Sequence, residues 1–117
     1  VSRGANLTNS VLAGVDLSGA DCSGADMVDA DLKETNFYKA KLSEANLKGA
    51  NLSGASLKGA QLSAADLRRT HLAGADFEGA ELLETKLKGT DLSGAHVGSA
   101  CQKHDGLLLR MLAHRWK

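Results

Sequence analysis

The chain has 117 residues and a mass of 12.2 kDa, room for one domain, and its 14 Lys plus Arg balance 14 Asp plus Glu. That balance excludes a globally basic nucleic-acid binder and a strongly acidic tail. The hydrophobic share of 43% is that of a folded protein, yet aromatics are 3% and proline is absent, so the core is built from small, regular side chains. No apolar run approaches the roughly 18 residues of a membrane span, and no signal peptide opens the sequence. Two cysteines make no disulfide framework, which leans towards a cytoplasmic protein.

In chain order, Val1-Ser2-Arg3-Gly4 reads as a decayed five-residue unit with Ser2 at an inward position. The absence of an initiating Met fits a fragment, a processed chain, or a front end capped by its own short coil. From Ala5 to Ser99 the chain then parses into 19 consecutive five-residue units without insertion or deletion. The third residue of every unit is apolar and is Leu in 14 of 19, a run with a chance probability on the order of 10⁻⁷ at this composition. The first residue is Ala in 13 units and Thr in four (Thr35, Thr70, Thr85, Thr90). The second is Asp or Asn in 11, and the fifth is Gly in 10.

A period of five fits neither standard element. On an α-helix successive leucines would step by about 140° and form no stripe, and in a straight strand each would flip face. Both conflicts vanish if the chain turns a corner once per unit. First and third residues then point inward, the second points outward, and the fourth and fifth make the corner, where Gly suits a φ > 0 turn position. The expected fold class is an all-β solenoid.

The A(D/N)LxG units, plainest in ANLKGANLSGASLKGA at residues 45–60, resemble the pentapeptide-repeat family over 95 of 117 residues. The resemblance implies a right-handed quadrilateral β-helix with four pentapeptides per coil, hence about 4.75 coils over residues 1–100. Columns then recur every 20 residues. Phe37 and Phe77, 40 apart, fall on one wall in the column Leu17, Phe37, Leu57, Phe77, Val97.

An interior filled by Ala and Leu ladders leaves no substrate pocket, so no catalytic residue, cofactor or small-molecule substrate is expected. His71 and His96 each sit one coil from an Asp (Asp91 and Asp76), and the ordinary reading is a weak exposed ion pair rather than an acid/base or metal pair. Cys22 occupies a central, inward position. Cys101 and His104 form half a zinc spacing without a second pair to complete it, so no metal is expected. One corner column reads Thr8, Val28, Lys48, Arg68, Lys88, with Arg69 and Lys86 beside it. These five cations are the candidate surface for an acidic partner or phosphates, set against ordinary solvation of a repeat. Asp21, Glu44, Glu81 and Glu84 lie across the next corner, and without interleaved aromatics the strip lacks stacking platforms for single strands.

The pattern fails after Ala100, where a further unit would place Cys101 outward and Gln102 inward. Residues 101–117 form a connector and an expected α-helix with Leu107, Leu108, Leu109, Met111, Leu112 and Trp116 on an arc of about 200°. One reading is a helix that caps the last coil; the other adds a homodimer interface. Membrane anchoring is not expected from one short helix with few basic residues.

The resemblance implies a non-enzymatic scaffold for an unidentified protein partner, with no direct nucleic-acid binding. Its alternative is DNA mimicry against DNA gyrase and topoisomerase IV, as in quinolone-protection members of the family. Those members have long, strongly acidic rods. Here residues 1–100 carry −3 (zero overall less +3 for 101–117), and Lys or Arg interrupts the faces.

Overall fold

The backbone accounting of one unit explains why the chain repeats every five residues. In Ala45–Gly49 the Ala45 N–H donates to Leu42 O at 3.0 Å across the preceding corner, and the Asn46 N–H to Ala25 O at 2.9 Å. The Leu47 and Gly49 N–H groups donate the other way, to Asp66 O and Arg68 O at 2.9 and 3.0 Å. Only the fourth N–H is left over by the ladder, and Asn46 Oδ1 accepts it from Lys48 at 3.2 Å. All eleven units with Asp or Asn at the second position make this bond, from Asn6 to Asp91. The outward Asp/Asn column is therefore a set of corner braces, since those short side chains reach the N–H two residues on.

The structure, a computed structural model, describes residues 2–103, the last three through their backbone. Every β-bridge is parallel and joins second-position residues 20 apart, from Asn6↔Asp26 to Asp76↔His96. Twenty residues are four units, so the solenoid is four-sided. The two short dimensions of 21 and 20 Å give it a nearly square section. Bridges stay isolated because three straight residues per side are too few for an extended strand. The fifth residue of each corner lies in the left-handed region whether it is Gly or not, as at Gly54 (φ 69°), Ala64 (φ 61°) and Arg69 (φ 60°). This matches a type II turn closed by the bond across the corner.

First and third residues fill the interior. Leu32 to Leu67 are fully buried at every third position, and Phe37 and Phe77 stack on one wall with Leu57 between them. Thr replaces Ala where its hydroxyl finds a buried carbonyl. Thr35, Thr85 and Thr90 donate to Leu12, Leu62 and Leu67 O at 2.7–2.9 Å, and Thr70 to Leu67 O at 2.8 Å. At the front, Ser2-Arg3-Gly4 keeps the register, with Gly4 at φ 69° and the Ala5 N–H donating to Ser2 O. Leu7, Leu12 and Leu17 are only partly buried there, since among the described residues they have a full coil on one side.

The far end departs from expectation. The pattern breaks at Gly98, two residues before Ala100, because Gly98 takes the positive φ (44°) and Gly98–Lys103 run on as a 3-10 helix. Three residues per turn cannot hold a five-residue register, so the backbone leaves the repeat over this stretch. Ala100 still turns the corner, donating to Val97 O at 2.8 Å, and is fully buried. The helix expected over 105–117, with Leu107, Leu108, Leu109, Met111, Leu112 and Trp116, lies outside the described residues, as do Val1 and His104.

Candidate functional site

Fourth and fifth residues stand at the corners, so a corner's chemistry is set by residues recurring every 20 positions. At the corner that follows Leu47, Leu67 and Leu87 the recurrence stacks Lys48, Arg68 and Lys88, and Arg69 stands beside Arg68. With Gly89 these four cations line a shallow recess of about 310 Å³, and no carboxylate lines it. Lys48 and Arg68 are half-buried; Arg69 and Lys88 are exposed. Among the described residues Lys48, Arg69 and Lys88 make no ion pair. Like charges one coil apart repel by roughly 0.9 kcal/mol per pair in water before salt screening, taking a rise of about 4.8 Å.

Arg68 differs from the other three. Its Nε and Nη2 donate to Asp66 Oδ1 and Oδ2 at 2.9 and 2.7 Å, a two-point pair over a nearly buried carboxylate. Those bonds hold the Asp66 carboxyl below the usual carboxylate range, with the fields of Arg68 and Lys86 adding to the effect. Lys86 is not in the recess. As a second-position residue it bridges Asp66 on the flat face beside the corner, exposed. The sequence column thus converges for Lys48, Arg68, Arg69 and Lys88 and separates for Lys86. Towards the front the same corner changes sign: the Asp29 carboxylate, in the column of Arg69, lies over Gly49, where a Cβ would collide with it. On the neighbouring wall Glu44, Glu81 and Glu84 are exposed and Asp21 is half-buried.

The histidines do not pair as their columns predict. His96 Nε2 lies 3.4 Å from Glu78 Oε2, while Asp76 pairs with Lys58 at 3.6 Å. His71 makes no ion pair among the described residues and shares a shallow recess with Asp91, Thr70 and Ser93. The Glu78 carboxylate also accepts the Ser99 N–H at 3.0 Å and the Ser99 hydroxyl at 3.1 Å, which lower its pKa. Nothing in the five-residue pattern marks this fastening of the last corner, because a fourth-position Glu has no fixed partner in the repeat. Cys22 is fully buried, and burial pushes its thiol pKa up. Cys101 is described through its backbone only, so the half-zinc spacing to His104 lies outside the described residues. No group of three His, Cys, Asp or Glu among the described residues is placed to hold a metal ion. No described helix is long and apolar enough to cross a membrane. The apolar gap among Leu67, Phe77, Leu82, Leu87, Leu92 and Val97 has no room for a water molecule.

A family model described as pentapeptide repeats matches residues 3–33, 30–69 and 60–96 in 8 copies. The solved pentapeptide repeat protein of the Arabidopsis thaliana thylakoid lumen is 28% identical, with a TM-score of 0.74 over 78% of this chain and 63% of that one. One from the cyanobacterium Cyanothece 51142 is 42% identical, with a TM-score of 0.55 over 80% of this chain and 61% of that one. The chain thus spans about three fifths of the length of these two structures. No curated protein matches the sequence significantly.

Proposed function

The chain belongs to the pentapeptide-repeat family, whose fold is a right-handed quadrilateral β-helix, and on that premise we propose that it is a non-enzymatic scaffold whose flat faces bind a protein partner. One observation carries the reading. First and third residues fill the interior, and the apolar gap inside does not admit a water molecule, so any recognition falls to outward positions. In this reading the 19 units make about 4.75 coils, and the helix that follows the connector within residues 101–117 caps the last of them.

The test is capture from a lysate of the source organism on immobilised protein, beside a gyrase supercoiling assay. The scaffold reading expects one or a few proteins retained at stoichiometric level and supercoiling unaffected. Retention of nothing specific, or inhibition of supercoiling, overturns it, the latter in favour of DNA mimicry. Light scattering on the intact chain separates the two roles of the tail: a monomer mass supports a cap alone, and a dimer mass that Trp116→Ala or Leu109→Arg abolishes supports a shared interface.

A further inference from the structure

We infer that the basic corner formed by Lys48, Arg68, Arg69 and Lys88 is the docking site for a short acidic segment of a protein partner, in extended conformation. The inference rests on the scaffold reading and adds to it the place and the chemistry of the partner. Four cations converge on one recess with no carboxylate in its lining, and three of them have no ion pair among the described residues. Elsewhere among the described residues Lys33 pairs with Asp31, Lys58 with Asp76, and Lys39 lies over the Tyr38 ring, while Arg3, Lys41 and Lys86 make no ion pair but each stands in the field of an acid, Asp21 or Asp66. Stacked like charges cost stability, and an opposing acidic segment removes that cost while gaining its own attraction.

The length and kind of ligand follow from what bounds the corner. The Lys48 and Lys88 rungs are two coils apart, about 9.6 Å at the spacing of hydrogen-bonded strands. Carboxylates at alternate positions of an extended peptide lie roughly 6.8 Å apart, so two fall within that reach. One coil towards the front the same corner turns acidic at Asp29, in the column of Arg69. A long uniform polyanion laid along that corner would run onto the Asp29 carboxylate, whereas a short acidic stretch ends before it. No aromatic side chain lines the recess to stack a base. These bounds favour an acidic peptide over a nucleic-acid strand.

The probe is a fluorescein-labelled peptide with Glu at alternate positions, titrated at low salt and followed by anisotropy. Binding is expected to weaken steeply with added salt and to be absent for the same peptide with Gln in place of Glu. Arg69→Glu with Lys88→Glu is expected to weaken it about tenfold or more, while Lys41→Glu with Lys58→Glu changes it less than about twofold. The reversal is compatible with the fold, because Glu34, Glu44 and Glu84 already take the corner conformation that Arg69 occupies. Arg69→Gln with Lys88→Gln, a milder variant that removes charge without reversing it, is expected to weaken binding as well while leaving the protein at least as stable as the native one. No binding by the native protein, or equal losses in both charge reversals, overturns the inference. So does single-stranded DNA binding as tightly with the same losses, or full displacement by inorganic phosphate at equal charge. If lysate capture persists in the Arg69→Glu, Lys88→Glu protein, the site is wrong while the scaffold reading stands; if the native protein captures nothing, the scaffold reading itself fails.

Discussion

Asn51 shows what an outward side chain does in this fold. Its Oδ1 accepts the Ser53 N–H at 3.0 Å, so it satisfies the one backbone donor that the coil-to-coil ladder omits. Asn51→Ala is expected to cost about 1 kcal/mol, as loss of a comparable cap does at a helix start. Ser56→Ala, at a second position that makes no such bond, is expected to be near neutral, and urea unfolding distinguishes the two. Asp66 adds a charge to the same role. Because its pKa is lowered in the folded protein, chiefly by the Arg68 side chain, its contribution is present above the unfolded value of about 3.9 and is lost as pH falls through the lower folded value. The stability difference between native protein and Arg68→Ala is therefore expected to be level near neutral pH and to shrink below about pH 4. A difference that grows with acid would contradict this assignment.

At the scale of one corner, the last is unlike the rest. Gly98 carries the positive φ, and a Cβ there would collide with the Glu78 carboxylate, which holds Ser99 through two hydrogen bonds. Gly98→Ala is expected to destabilise by about 1 kcal/mol or more and to displace that carboxylate. Combined with Glu78→Ala the loss is expected to be less than additive, because both changes release the same contact; thermal melts of the double-mutant cycle measure it. The regular corners were legible from the sequence, since an unbroken period of five fixes inside and outside, and the period of 20 that the family resemblance implies brings Phe37 and Phe77 to one wall. The column of Lys48, Arg68 and Lys88 was legible for the same reason. Periodicity carries no information on where a long side chain turns at a corner. That is why the capture of Arg68 by Asp66, the exclusion of Lys86 from the recess and the pairing of His96 with Glu78 emerge only in three dimensions. The Asp/Asn preference was visible as composition, but its cause, the fourth N–H, needs the full backbone accounting.

Over the whole molecule, burial is graded along the axis. Leu52 is fully enclosed, with coils on both sides, while Leu7 is only partly buried. Leu52→Arg is expected to unfold the domain by burying an unpaired charge, and Leu7→Arg to fray the front coil while the remainder holds. Circular dichroism melts decide, and equal loss at both positions would contradict nearest-neighbour stacking. The 20-residue register also sets a grammar for changes of length. Removing one unit, such as Ala75–Gly79, turns everything downstream by a quarter of a revolution. Lys88 then leaves the corner of Arg68, although each later unit still packs its Ala and Leu inward. Removing four units restores every column, one storey shorter. Deletions in this chain are thus expected to be tolerated by folding in steps of five and by recognition in steps of 20, so that loss of a single unit separates the building from its address.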